Sequence, residues 1–289
     1  MASERDFKTI DIAANVAARN ARRDEAVAFI AKQLGRHPTS DATAIILGSG
    51  LGGLADKIVS PVAISYHDIP GFARSTASGH KGQMIFGTLE GSDVIAMAGR
   101  FHRYEGWTVD EVAFPVHVMH ALGARRLIVS NAAGGVNPKF RVGDIVVIRN
   151  HINLMTGIST CSEYAADLPV ARRGEIYDSN LSASAIQTAV TNNFTAHEGT
   201  YLATFGPTYE TRAEYRMQRK IGADVAGMST VPEVLAAADL GMPVLGLSLV
   251  TNVASPDLAI KADHGEVLEA GQAGAAKMEQ IVRRILRAS

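Results

Sequence analysis

The sequence predicts an α/β protein, a single domain with a mixed, mostly buried central β-sheet flanked by helices. Short apolar segments alternate with segments of helical spacing over the second half of the chain, an order typical of α/β domains. Of the 289 residues, 47% are hydrophobic and 20% are charged, which suits a large core. Because no linker or internal repeat divides the sequence, we expect one domain over 1–289, with a helical segment at 1–38 packed on it.

The first predicted elements are a helix, a strand and a hairpin. Apolar residues recur at helical spacing within 11–34, and Gly35 with Pro38 is typical of a helix end. The apolar segment AIIL predicts a strand that leads into a glycine-rich loop. Two further apolar segments, QMIFGTLE and DVIAMAG, flank Gly91-Ser92, which predicts a hairpin with a two-residue turn.

The later elements alternate between helix and strand. Thr108 with Glu111, and Thr211 with Glu214, form capping boxes, which mark the first turns of two helices. The predicted helices cover 108–123, 182–197, 211–222, a segment that begins at 229 or 230, and 264–287. The predicted strands are RLIVSN, DIVVIRNHINL, YLATFG, ADVAGM and PVLGLSLVTN. The irregular, polar segment 155–180 is interpreted as a loop or an interface segment.

Composition and charge argue against several classes of protein. The formal net charge is −1 without long runs of one sign, so no nucleic-acid or membrane surface is expected. The N-terminus lacks the basic start and apolar run of a signal peptide, and no apolar stretch reaches the roughly 18 residues of a membrane span. Cys161 is the only cysteine, which excludes an internal disulfide. We therefore expect a globular, cytoplasmic protein.

The glycine-rich loop fits more than one kind of ligand. Gly48, Gly50 and Gly53 match the G-x-G-x-x-G pattern of dinucleotide-binding folds, and Asp68 stands where a ribose-binding carboxylate would be sought. However, a helix after Gly53 must end before Pro61, and Asp68 lies in a turn-like context. A glycine-rich strand end also suits a single phosphate, so NAD binding is kept as the weaker alternative.

Other strand ends supply residues suited to an anion. Arg100 and His102 follow the strand DVIAMAG, and strand alternation places both on one side of the backbone. A guanidinium fork binds phosphate oxygens well, and Ser229 at a helix start adds a second position that favours anions. Tyr104 and Trp107 could form an apolar or stacking wall beside them. Because ligands bind at the carboxyl ends of strands in open α/β sheets, we expect these segments to share a site.

A carboxylate and an amide form the remaining pair of candidates. Glu210 precedes the helix cap Thr211, and Asn252 ends a nearly all-apolar strand, where an amide needs a partner. Together they could read the donor and acceptor pattern of a heterocyclic base. His117 and His120 have helical spacing but are more simply surface or core residues, so no metal site is predicted.

Several motifs together resemble the trimeric purine nucleoside phosphorylases. They are GSGLGGLADK, SGHKG, GRFHRYEGW, NAAGGVNPKFRVGDIVVIRNHINL, FGPTYET, GADVAGMSTVPEV and LVTN, which follow the family order from about residue 45 to 270. The resemblance implies reversible phosphorolysis of inosine and guanosine, or their deoxy forms, to a free base and a pentose 1-phosphate. It also implies a homotrimer, a role in purine salvage, and inorganic phosphate as a co-substrate without any cofactor or metal.

The resemblance also implies which residues form the site. The phosphate-binding residues would be Ser49, His80, Arg100, His102, the backbone of Ala132, and Ser229. The ribose-binding residues would be Tyr104, Met228 and His264. The base-binding residues would be Ala132, Tyr209, Glu210 and Asn252. The residues expected to be catalytic are Glu210, Asn252 and His102.

The sequence departs from this family in a few places. Position 209 is Tyr where many members carry Phe, and 155–180 lacks the stretch that delivers an aromatic residue to the neighbouring subunit. Tyr164 or Tyr177 could replace that aromatic residue. Methylthioadenosine phosphorylases, a related alternative, typically carry a carboxylate where this chain has Asn252. A non-catalytic nucleoside-binding protein is a further alternative, although the site residues are intact.

Overall fold

A computed structural model describes residues 11–35, 41–48, 52–74, 81–155, 175–254 and 264–288, with the backbone alone for 264–273. In these ranges the helices are α1 Ile12–Leu34, α2 Val109–Ala121, α3 Ser179–Thr191, α4 Arg212–Lys220, α5 Val231–Asp239 and α6 His264–Arg287. The strands are β1 Ala42–Leu47, β2 Val59–Ser65, β3 Gln83–Leu89, β4 Ser92–Ala98, β5 Ala124–Gly135, β6 Ile145–Asn153, β7 Ala196–Ala203, β8 Val225–Gly227 and β9 Val244–Val253.

The strands form one mixed sheet in the order β2-β3-β4-β1-β5-β8-β7-β6-β9. β5 also pairs with β9, so the last five strands of this order close into a ring. Parallel pairs join β1 to β4 and β5, β5 to β9, and β7 to β6 and β8. Since β5 takes part in two of these parallel pairings and in an antiparallel pair with β8, its carboxyl end lies at the centre of the sheet.

Helices cover both faces of the sheet. Alternate residues of β1 enter different apolar clusters, Ile46 on one face and Ile45 on the other. The first cluster includes Ile30 of α1 together with buried residues of α2 and α5, and the second includes Met278 of α6 with residues of α3. None of the described helices is long and apolar enough to cross a membrane. The predicted fold class, a mixed and mostly buried sheet flanked by helices, is confirmed.

Most predicted helices are present, including those that begin at the capping boxes of Thr108 and Thr211. The hairpin turn, however, is Glu90-Gly91 and not Gly91-Ser92, because Leu89 pairs with Ser92. Both turn residues have positive φ, 54° for Glu90 and 83° for Gly91, as in the turns that match strand twist.

The segment 182–197 was wrongly predicted as helix to its end. α3 ends at Thr191, and β7 begins at Ala196, five residues before the predicted strand YLATFG. Asp178 begins α3 earlier than expected because its side chain accepts a hydrogen bond from the backbone N–H of Leu181. β2 was not predicted, because this edge strand buries little and so has no clear alternation.

Candidate active site

The carboxyl ends of β1 and β5 approach each other closely at Gly48. Its N–H donates to Ser130 Oγ at 3.1 Å, and a Cβ at this position would stand 2.2 Å from the carbonyl oxygen of Ser130. The same Cβ would be 3.2 Å from Nη1 of Arg100, the residue that follows β4. Only glycine fits here, so the first glycine of the loop brings the ends of β1, β4 and β5 together.

Among the predicted site residues whose side chains the structure describes, Arg100 is the most completely enclosed. Its side chain is 2% exposed, and its Nη1 donates to Ser229 Oγ at 2.9 Å and to Thr230 Oγ1 at 3.3 Å. Its Nε donates to Glu233 Oε1 at 3.1 Å. The prediction that Arg100 and Ser229 share a site is therefore consistent with their direct contact.

Three residues that hold this arrangement were not predicted as site residues, namely Glu233, Thr230 and Asn131. Glu233 lies in the first turn of α5, is as buried as Arg100, and supplies its carboxylate partner. Burial raises the pKa of Glu233, whereas the charge of Arg100 lowers it. Asn131 donates from Nδ2 to Thr230 Oγ1 at 2.9 Å, and Thr230 has an unusual φ of 74°. A carboxylate in a first helical turn is ordinary on its own, so only the buried arginine could have indicated the role of Glu233.

His102 is fixed by contacts on its own loop. Its Nδ1 lies 2.9 Å from Glu105 Oε1, and its ring stacks on Tyr104 with centroids 4.7 Å apart. The backbone N–H of His102 also donates to Glu105 Oε1, at 2.9 Å. Glu105 was not predicted, although its spacing of three residues from His102 is a usable signal. The imidazole is therefore held in one orientation next to the aromatic ring.

Two of the predicted ribose-binding residues meet at Gly206. A Cβ on Gly206 would lie 2.4 Å from Sδ of Met228 and 3.2 Å from Cδ1 of Tyr104. Burial raises the pKa of Tyr104, and the neighbouring Glu105 raises it further. Tyr104 also stacks on His102, so this wall continues directly from the residues around Arg100. The third predicted residue, His264, begins α6, and its side chain lies outside the described part of the chain.

Asn252 lies beside an irregularity in the pairing of β5 with β9. The register shifts between Ala133 and Gly134, so that Asn252 pairs with Gly134. A Cβ on Gly134 would lie 3.4 Å from Nδ2 of Asn252, an ordinary van der Waals contact, so the amide lies directly beside this backbone position. Oδ1 of Asn252 accepts from Thr251 Oγ1 at 3.3 Å. The amide is partly buried and accepts one long hydrogen bond.

Glu210 lies at the same end of the sheet. Thr204 Oγ1 donates to Glu210 Oε1 at 3.4 Å, and the backbone N–H of Thr204 donates to Gly227 O of β8 at 2.9 Å. β8 pairs with β5 at Gly134, the residue that faces Asn252. Burial raises the pKa of Tyr215, and the carboxylate of Glu210 raises it further. Tyr209, the neighbouring predicted base-binding residue, has a largely exposed side chain.

The remaining predicted residues have mixed outcomes. Ala132 lies on β5 opposite Leu249, directly after Asn131. Ser49, His80 and Tyr164 lie outside the described residues. Tyr177 is 1% exposed, bonded to His151 and part of the core, so its suggested role as an aromatic residue for a neighbouring subunit is wrong.

The features expected of a dinucleotide or metal site are weak. Gly52–Lys57 forms a 3₁₀ helix of 6 residues, and the side chain of Asp68 is 59% exposed and paired with His67. Within the described ranges, no group of three or more His, Cys, Asp or Glu residues could hold a metal ion. His117 is a buried residue of α2, and burial lowers its pKa to about 4.

Comparisons with known proteins identify the family. Residues 42–287 match the family model described as the phosphorylase superfamily. Purine nucleoside phosphorylase 1 of Bacillus subtilis is 46% identical over 267 residues, covering 92% of this chain and 97% of that protein. The rat purine nucleoside phosphorylase is 46% identical over 251 residues, covering 83% of this chain and 86% of that protein.

Solved structures agree with the sequence comparisons. A crystal structure of a schistosoma purine nucleoside phosphorylase in complex with hypoxanthine matches with a TM-score of 0.82 and 38% identity. The match covers 92% of this chain and 96% of that one. The chain described here therefore belongs to the purine nucleoside phosphorylases of the phosphorylase superfamily.

Proposed function

We propose that this enzyme catalyses the reversible phosphorolysis of 6-oxopurine nucleosides in purine salvage. Inosine or guanosine, or a deoxy form, reacts with inorganic phosphate to give the free base and the pentose 1-phosphate. The observation that carries the proposal is the buried contact of Arg100 with Ser229 next to Gly48, at the strand ends that also carry Asn252. Family membership supports the reaction class.

The charges of the site suit this reaction. A phosphate oxygen forms a bond to C1′ of the sugar while the C1′–N9 bond breaks and its electron pair goes to the purine. Positive charge develops on the sugar, so a phosphate held at Arg100, His102 and Ser229 stabilises it from below. Fixed groups aimed at developing charge are usually the largest single contribution to catalysis.

The base-binding pair gives the proposed preference for 6-oxopurines. Asn252 donates from its amide to N7, where negative charge develops as the purine leaves. The carboxylate of Glu210 accepts from N1–H, which hypoxanthine and guanine have and adenine lacks. The schistosoma relative crystallised with hypoxanthine supports this assignment.

The test is the release of hypoxanthine from inosine by the purified protein, with and without phosphate. We expect release only when phosphate is present, together with one equivalent of ribose 1-phosphate. Equal release without phosphate would indicate a nucleoside hydrolase. A rise in melting temperature with NAD but none with phosphate would support the dinucleotide alternative.

The oligomeric state and the lack of a metal or cofactor requirement are also proposed. A homotrimer is proposed from the family resemblance, and sedimentation of a fully active monomer would contradict it. Phosphate is proposed as a co-substrate without any metal or cofactor, so activity should survive dialysis against a chelator. The cytoplasmic location stays a prediction.

A further inference from the structure

Arg219 in the last turn of α4 joins the ends of two strands. Its Nε donates to Val136 O at 2.7 Å, and its Nη2 donates to Ala254 O at 2.7 Å. Val136 follows β5 directly, and Ala254 follows β9 directly. One planar guanidinium therefore bridges the two carbonyls, and charge-assisted bonds of this kind are stronger than neutral ones.

This bridge lies next to an irregular part of the β5–β9 pairing. The register shifts between Ala133 and Gly134, and beyond it the ladder ends with the N–H of Ala254 donating to Gly135 O at 2.7 Å. Asn252 lies between the shift and this last bond. Its side chain faces Gly134 and accepts one long hydrogen bond, so its position depends on where the end of β9 is held.

The same helix also follows the other base-binding candidate. α4 begins two residues after Glu210, and Thr211 caps it. Arg219 therefore connects the segment that carries Glu210 with the strand that carries Asn252. Arg100 is held differently, with contacts to Glu233, Ser229 and Thr230.

We infer that Arg219 is a positioning residue for base recognition, since it fixes the end of β9 and so the amide of Asn252. The inference rests on the proposed function of Asn252. Arg219 acts on recognition of the purine and leaves phosphate binding unchanged. A role limited to the positive charge at the end of α4 is the competing explanation, and Lys220 in the same last turn carries the same charge.

The test compares Arg219→Met with Lys220→Met. Both changes remove one positive charge from the same helix end, but only the first removes the bridge. For Arg219→Met we expect kcat/KM for inosine to fall about tenfold to hundredfold, as a displaced site residue can cause. We expect the KM for phosphate to stay within about twofold, since the groups around Arg100 keep their contacts. Calorimetric titration with hypoxanthine should show weaker binding, and Lys220→Met should match wild type.

Arg219→Lys keeps the charge but supplies a point donor that cannot bridge both carbonyls in a plane. We expect Arg219→Lys to lower kcat/KM for inosine by a smaller factor than Arg219→Met does, again with little change in the KM for phosphate. It replaces Arg219→Met in the test if that variant does not fold. Equal effects of Arg219→Lys on inosine and phosphate, or none on hypoxanthine binding, would overturn the inference. If wild type lacks phosphate-dependent cleavage of inosine, the proposed function fails independently of Arg219.

Discussion

The candidate site has two halves that are built differently, the proposed phosphate half around Arg100 and the proposed base half around Asn252 and Glu210. In the phosphate half, Arg100 is 2% exposed and is held by a carboxylate and two hydroxyl groups at 2.9–3.3 Å. In the base half, Tyr209 is 58% exposed, and Asn252 and Glu210 have side-chain hydrogen bonds of 3.3 and 3.4 Å. A buried charge must be satisfied by partners, whereas the partly buried amide and carboxylate of the base half make only long hydrogen bonds to their neighbours on the described part of the chain.

Removing the carboxylate of the phosphate half should give the largest effect. Glu233→Ala leaves the buried guanidinium of Arg100 without its charged partner, so we expect the free energy of unfolding to fall by about 3–5 kcal/mol. Glu233→Gln keeps an acceptor for Nε and should cost less. Urea unfolding measures both, with Glu25→Ala on the exposed surface of α1 as the control. A loss as small as that of the control would mean that the pair does not hold this half together.

His117 is a buried ionisable residue that lies outside both halves of the site. Burial lowers the pKa of His117 to about 4, with further lowering from Arg19, Arg23 and His120, while Asp110 opposes it. The unfolded chain, with a histidine pKa near 6.5, binds more protons between these values, so stability is lost as the pH falls through this window.

The expected size of the His117 effect is about 2 kcal/mol between pH 7 and pH 5. His117→Leu removes this group, so the variant should lose about 2 kcal/mol less than wild type over the same interval. Urea unfolding at both pH values measures the difference. Identical losses in the two proteins would show that His117 is not held neutral by burial.

A single change in the base half should alter selectivity and spare stability. Asn252→Asp places an acceptor where an amide donates. We therefore expect kcat/KM to fall for inosine and to rise for adenosine. Each mismatch of a buried polar group costs about 1–3 kcal/mol, or roughly a tenfold to hundredfold change in preference. The ratio of kcat/KM for inosine to that for adenosine measures it. Equal kcat/KM values of the wild-type enzyme for adenosine and inosine would contradict the assignment of this pocket.

The halves also differ in how well the sequence predicts them. Arg100 and Ser229 follow from their positions at a strand end and a helix start, and their contact agrees with that reasoning. Glu233 was not predicted, because a carboxylate in a first helical turn is ordinary and no local pattern indicates that it contacts Arg100. Asn252 was predicted from an amide at the end of an apolar strand, but its support by Arg219 depends on the register of a closed ring of strands.

The apolar pattern of the sequence predicts the helices and central strands better than it predicts the edge strand and the polar segments. β1 and β9 are recognisable because both are almost entirely buried. β2 is mostly exposed, so neither alternation nor an apolar run marks it. Tyr177 was assigned to a polar loop although it packs in the core, because its neighbours in sequence are polar and its contacts are distant.

The separation of the two halves is tested most directly by measuring two variants with each of the two substrates. Saturation curves for phosphate and for inosine are measured with Arg100→Ala and Asn252→Ala, after circular dichroism has shown that each variant is folded. We expect Arg100→Ala to raise the KM for phosphate far more than the KM for inosine, and Asn252→Ala to do the reverse. Equal weakening of both substrates by both variants would contradict the division of the site into a phosphate half and a base half.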